Sequence, residues 1–188
     1  MMNMIVSLPS WQIIRTLGIA SFVLLTVGIC LGIAHGFPQL TGKAKKRVYK
    51  LHTLLTNGGT VLGLLHGAIL VIDAYMPFAW SEVLIPFTAK QHPILNGLGT
   101  LAAYAMLLLI FTSDIRHKLG RKIWLAIHLL SYPIFAAALI HGFFIGTDTQ
   151  QLPVRMMYLA SFAAVAIMTG ARAAVRRYPD RPQTRSAA

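Results

Sequence analysis

With 188 residues, 56% of them apolar and only 12% charged, and a mean hydropathy of +0.64, the chain is too apolar for a soluble domain of its length. Its net charge of +12 raises nucleic acid as a partner. The basic residues, however, sit in the gaps between long apolar stretches, which points to a lipid membrane and no nucleic acid.

A helix needs about 20 apolar residues to cross the hydrocarbon core, and five such stretches follow one another. The first runs from Ile13 to Phe37 and holds the sole cysteine, Cys30, so no internal disulfide can form. No basic segment precedes it and a basic cluster follows it, the flank order of an anchor with its N-terminus outside and not of a cleaved signal peptide. Lys43, Lys45, Lys46, Arg47 and Lys50 fill the first connection. The second stretch is Leu51 to Ile72. The connection from Tyr75 to His92 carries Tyr75, Phe78, Trp80 and Phe87, which reads as an interfacial aromatic belt and not as a functional lid.

Pro93 stands in the first turn of the third stretch, Ile94 to Thr112, and Arg116, Lys118, Arg121 and Lys122 follow. The fourth, Ile123 to Ile145, closes on a Gly146-Thr147-Asp148 turn. The fifth, Val154 to Ala171, begins after Pro153 and is followed by Arg172, Arg176, Arg177, Arg181 and Arg185. The expected architecture is an all-α integral membrane protein, a bundle of about five transmembrane helices forming one domain over residues 1–177. Residues 178–188 form a basic, disordered tail. Fourteen of the 17 basic residues fall on one side of this arrangement and only Arg15, Lys90 and Arg155 on the other. The excess of positive charge places the N-terminus outside and the C-terminus in the cytoplasm. No Cys-rich cluster, phosphate-cradling Gly loop or Gly-x-Gly-x-x-Gly appears, so a flavin, nicotinamide or nucleotide domain is not expected in this polypeptide.

The chemistry lies in four histidines inside these stretches, His52-x13-His66 in the second and His128-x12-His141 in the fourth. The two stretches run in the same direction, so His52 and His128 share one level and His66 and His141 another, about 20 Å apart at 1.5 Å per residue. Ionisable side chains in a span are costly and usually functional. Neutral imidazole is a good iron ligand, and a backbone carbonyl on its second nitrogen would fix the tautomer. Positions 52, 59 and 66 share a face to within about 40°. Gly59 and Gly63 lie on or beside that face, where they would admit porphyrin edges; with Gly67 they also read as a helix-packing surface of small residues. On the fourth stretch a straight helix would leave His128 and His141 about 140° out of phase, and Pro133 between them is placed to bend or rewind it.

This pattern resembles the ferric reductase-like transmembrane domain family, which includes the membrane cores of ferric reductases and NADPH oxidases. The paired histidine spacing and the segment Arg121 to Thr149 carry the resemblance, over about residues 13 to 172. It implies two b-type hemes, with His52 and His128 as axial iron ligands of the inner one and His66 and His141 of the outer one. Arg15 and Arg155, at the outer ends of the first and fifth stretches, are placed either to pair with outer heme propionates or to act as interfacial anchors. Phe135, near the midpoint between His128 and His141, either bridges the hemes or, as is commoner for an aromatic in a span, packs the bundle. Electrons would come from a cytoplasmic flavoprotein reductase or from quinol and leave to an outer-face acceptor such as ferric iron, oxygen or a redox protein. Leu70 stands where oxidase members carry a further histidine, which argues against dedicated superoxide production. The chain is more similar to short bacterial, heme-only members, like the membrane subunit serving a periplasmic methionine sulfoxide reductase. That implies a multi-pass protein of the bacterial cytoplasmic membrane.

His35, His92 and His117 read as interfacial or solvated residues, Asp148 as a helix-end residue, and Asp73 as a possible proton or substrate contact. The alternative function is a histidine-lined divalent-metal carrier without heme, with Asp73 and Cys30 as its only candidate partners. A third is an assembly anchor in which heme is purely structural.

Overall fold

The computed structural model describes residues 10–73 and 77–177. Tyr75 and the expected tail, 178–188, lie outside the described residues. Within them the chain is helical and contains no strand: α1 (Ser10–His35), α2 (Gly42–Ile69) with a 3-10 turn at Leu70–Ile72, a short α3 (Trp80–Leu84), α4 (Pro93–Asp114), α5 (Arg121–His128), α6 (Ser131–Ile145), a 3-10 turn at Thr147–Gln150, and α7 (Leu152–Arg177). Five helical segments are long and apolar enough to cross a membrane: Ser10–His35, Gly42–Ile72, Pro93–Asp114, Arg121–Ile145 and Leu152–Val175. These are the five expected stretches. Two reach further than their apolar windows, since α2 begins at Gly42 and α7 continues to Arg177. Lysine and arginine are good helix formers, so a helix continues past the point where hydropathy ends.

Large apolar side chains face outward, among them Leu54, Ile94, Phe144 and Ile167, each about two-thirds or more exposed (66, 68, 67 and 70%). In water such a surface would drive aggregation. In lipid it is the expected outer face, because the solvent is itself apolar and helices associate through close packing and small residues.

α1 and α2 pack along most of their length, as do α4 and α6, while helices of different pairs touch more sparingly. The α1–α2 contact keeps one antiparallel register throughout. Gly18 meets His66, Ser21 meets Gly63, Leu25 meets Gly59, Thr56 meets Gly28 and His52 meets Gly32, so each step down one helix is a step up the other. A Cβ on Gly28 would stand 2.7 Å from Thr56 Cγ2, and one on Gly59 would stand 2.8 Å from Leu25 Cγ. Glycine here permits backbone approach. Ser21 Oγ donates to the Gly59 carbonyl at 2.7 Å, which adds a polar tie where lipid supplies no competing water. At one end of this hairpin Ser10 Oγ donates to Asp73 Oδ1 at 2.5 Å, both residues being buried.

The fourth stretch is not one continuous helix. It stops at His128 and resumes at Ser131, and across the gap Leu130 N donates to Ile127 O and Tyr132 N to Leu129 O at 3.0 and 3.2 Å. These are tight, three-residue bonds. Pro133 has no N–H to give to Leu129 O, so that carbonyl is taken by Tyr132. Each residue wound at three per turn adds about 20°, in the direction that closes the phase gap between His128 and His141.

The helices enclose a cavity of about 1990 Å³ that runs past all four intramembrane histidines. A site for one small molecule typically occupies about 300–1,000 Å³, so this one has room for two. The connection after α2 also contributes to its wall through Phe78, Trp80, Val83 and Leu84. α3 is held onto α4 by Thr100 Oγ1 donating to Val83 O at 3.0 Å and Tyr104 OH donating to Leu84 O at 2.5 Å. Phe78 and Trp80 are therefore folded against the cavity, with Trp80 still 57% exposed, while Phe87 lies off its wall.

Candidate functional site

The four histidines meet in two pairs. The ring centres of His52 and His128 are 6.3 Å apart, and those of His66 and His141 are 6.4 Å apart. A metal–imidazole bond of about 2.0 Å, with the ring centre about 1.2 Å further on and the whole counted twice, requires about 6.4 Å. Both pairs therefore fit one metal atom held between two imidazoles. In each pair one ring comes from α2 and the other from beyond α4, across the cavity.

Three of the four rings are oriented by the backbone. The Nδ1 of His52 lies 2.7 Å from Gly28 O, that of His66 2.8 Å from Ile14 O, and that of His141 2.9 Å from Leu95 O. A carbonyl only accepts, so each Nδ1 carries the proton and each Nε2 keeps a lone pair for a metal. His128 differs: its Nδ1 is buried without a partner, and its ring stacks on Trp124 at 4.9 Å and 22°. The Trp124 Nε1 is also buried without a partner. Stacked rings point their N–H bonds sideways, so these two groups do not satisfy one another.

Single-helix periodicity missed the glycines opposite the histidines. A Cβ on Gly18 would lie 3.1 Å from the His66 ring, one on Gly32 would lie 3.0 Å from the His52 ring, and one on Gly99 would lie 2.8 Å from the His141 ring. These positions leave room for imidazole against a neighbouring backbone. The signal is Gly18-x13-Gly32, the same interval as His52-x13-His66, visible only when the two helices are laid antiparallel.

Of the glycines singled out on α2, Gly63 lines the cavity and faces Ser21, whereas Gly59 is buried against Leu25 and away from the cavity wall. Phe135 lines the cavity and stacks on Phe22 at 5.8 Å, and Phe22 in turn lies 4.7 Å from Tyr158. Arg15 also lines the cavity, and its guanidinium grips Asp148 with two bonds, Nε to Oδ2 at 2.6 Å and Nη2 to Oδ1. Asp148 thus ties α1 to the turn before α7. Arg155 is exposed and off the cavity wall. His35, beside Tyr49 at 5.6 Å, and His92 both line the cavity. His92 adopts a left-handed conformation at φ 47° as the residue preceding α4. His117 is exposed in the turn after α4.

A model of the ferric reductase-like transmembrane component matches residues 17–139, about two-thirds of the chain. The chain belongs to the ferric reductase-like transmembrane family. The matched region holds His52, His66 and His128, and it ends two residues before His141. No curated protein and no solved structure matches the chain. Membership makes it a multi-pass component of membrane electron transfer. Among the described residues no three His, Cys, Asp or Glu side chains converge at one point.

Proposed function

We propose that this ferric reductase-like chain is a di-heme b-type cytochrome subunit that carries electrons through the bacterial cytoplasmic membrane. His52 and His128 would hold the heme nearer the basic connections, and His66 and His141 the other. The observation that carries the reading is the pair of cross-cavity spacings, 6.3 and 6.4 Å, at two levels. A site for a passing divalent ion usually recruits carboxylate or thiolate donors beside imidazole, whereas each of these pairs sets one imidazole against another across the cavity.

Bound heme supplies a one-electron iron couple. His52 with His128, and His66 with His141, would hold the iron and leave no open position on it for water or substrate, so the transfer would make no bond. The carbonyls of Gly28, Ile14 and Leu95 orient three ligand rings and raise their basicity, which favours ferric iron. Phe22 and Phe135 fill the interval between the levels. In the proposed orientation the basic end, with Lys43 to Lys50 and Arg116 to Lys122, faces the cytoplasm and takes electrons from a flavoprotein reductase or from quinol. The opposite end, with Arg15, Asp148 and α3, faces outward and delivers them to ferric iron, oxygen or a redox protein.

Reduced-minus-oxidised absorption and pyridine hemochrome assay of the purified protein test this. Two b-type hemes per chain are expected, with one lost in each of His66→Ala and His128→Ala. A well-folded wild type without heme would overturn the reading.

A further inference from the structure

Arg172, near the basic end of α7, is part-buried and lines the cavity. Its Nη1 donates to Ile33 O at 3.0 Å, and among the described residues no carboxylate lies within ion-pair distance of it, the one such pair being Arg15–Asp148. A guanidinium has five N–H donors and is always charged, so most of this fork is unspent at the wall of a cavity inside a membrane bundle, where an unbalanced charge is costly.

The seat is built for it. A Cβ on Gly36 would fall 1.1 Å from Arg172 Nη1, so the guanidinium fills the space that any side chain at this position would take. Gly36 is one turn, about 6 Å, beyond Gly32, which is the residue His52 touches. The cavity wall at this end is otherwise basic, with Arg116 bonded to the Tyr49 hydroxyl at 2.8 Å, Arg121 and His35, against one acid, Asp114. An anion one turn from the His52–His128 axis, on the basic side, is what this arrangement lacks.

We infer that Arg172 clamps a carboxylate of the porphyrin held between His52 and His128, with Gly36 and the Ile33 carbonyl aiming the fork. This rests on the heme reading above. It assigns Arg172 as a positioning residue for that cofactor and orients the porphyrin carboxylates toward the basic end. Planar two-point recognition of carboxylate is what arginine provides and lysine does not.

The full-length protein, purified with its heme, is mixed with excess apomyoglobin, and heme loss is followed for wild type, Arg172→Gln, Arg172→Lys and Gly36→Ala. Arg172→Gln is expected to speed one of the two phases of release about tenfold, the lower end for a charge-assisted hydrogen bond at a partly hydrated site. Arg172→Lys recovers part of the loss. Gly36→Ala, which keeps the charge but displaces it, gives a smaller acceleration of the same phase. With the protein refilled by iron protoporphyrin IX dimethyl ester, wild type and Arg172→Gln should release alike. The inference is overturned if Arg172→Gln leaves both phases unchanged or accelerates both equally. It is also overturned if the ester shows the same difference as the acid, as it would if Arg172 held a lipid phosphate or merely stiffened the bundle. A wild type with no heme would instead sink the heme reading itself.

Discussion

Gly99→Ala isolates the question of whether the outer histidine pair is built to a tolerance that matters. The added Cβ would stand 2.8 Å from both Cε1 and Nδ1 of His141, whereas carbon contacts relax at about 3.5 Å, so the ring must retreat by about 0.7 Å. A retreat of that size is enough to carry the 2.9 Å bond from Nδ1 to Leu95 O to about 3.6 Å, which is no longer a hydrogen bond. Losing a second-shell partner of a metal-bound histidine costs about 10–100-fold in affinity. Alanine is the better helix former by about 1 kcal/mol, so the helix itself should gain stability while the site loses its cofactor. The assay is heme stoichiometry by pyridine hemochrome, beside thermal stability, with Gly170→Ala as control because nothing lies within 4 Å of a Cβ there. Gly99→Ala should fall from two hemes toward one, with the His52–His128 heme retained, and Gly170→Ala should keep both. Two tightly bound hemes in Gly99→Ala would refute the claim that this glycine exists to seat the ring.

The imidazole planes cross at 74° in one pair and 80° in the other, so both ferric centres should give strongly anisotropic low-spin resonance spectra dominated by one low-field feature. A rhombic three-line spectrum would mean parallel rings. Asp148→Asn removes the charged partner of Arg15, whose side chain is 34% exposed, and should cost about 1–2 kcal/mol in thermal stability. Arg15→Gln in the same background should then cost little more, and full additivity would show that the pair is not coupled. Glu82 accepts from the Ala79 and Lys90 amides at 2.9 Å each, which holds its carboxyl below the usual carboxylate range. Because the folded group titrates below the unfolded one, this tie is complete above the unfolded pKa and is lost as pH falls through the folded value. The protection of the Ala79 and Lys90 amides against exchange, measured relative to the intrinsic rate at each pH, should therefore fall on acidification and be low at neutral pH in Glu82→Gln; protection indifferent to both would contradict it.

Hydropathy was enough to locate all five crossing segments, because each window reports whether a helix can sit in lipid, and it was poor at their ends, because Lys43 to Lys50 and Arg172 to Arg177 are helical yet polar. The depths of the four histidines were legible from a rise of about 1.5 Å per residue. So was the need for a distortion near Pro133, although its place, at Leu129 and Leu130, was not. What stayed hidden depends on contact between helices. The carbonyls that orient His52, His66 and His141 belong to residues 24, 52 and 46 positions away. The partner of Arg15 is 133 positions away, and no periodicity within one helix names it. Gly59 shows both sides: its packing against a neighbouring helix was legible in the run of small residues, and its partner, Leu25, was not.

The division of the bundle into an α1–α2 pair and an α4–α6 pair has a biological reading. Each histidine couple takes one ring from α2 and the other from the fourth crossing segment, His128 at the end of α5 and His141 in α6, and the two pairs touch each other sparsely. On the proposed function the iron bonds are then the mortar of the fold, and the unfilled chain is two hairpins loosely associated in the bilayer. Such a chain would offer membrane quality-control proteases a poorly sealed target. The amount of this protein in a cell would follow the supply of heme, with scarcity clearing the subunit before it could lodge as a half-built conductor.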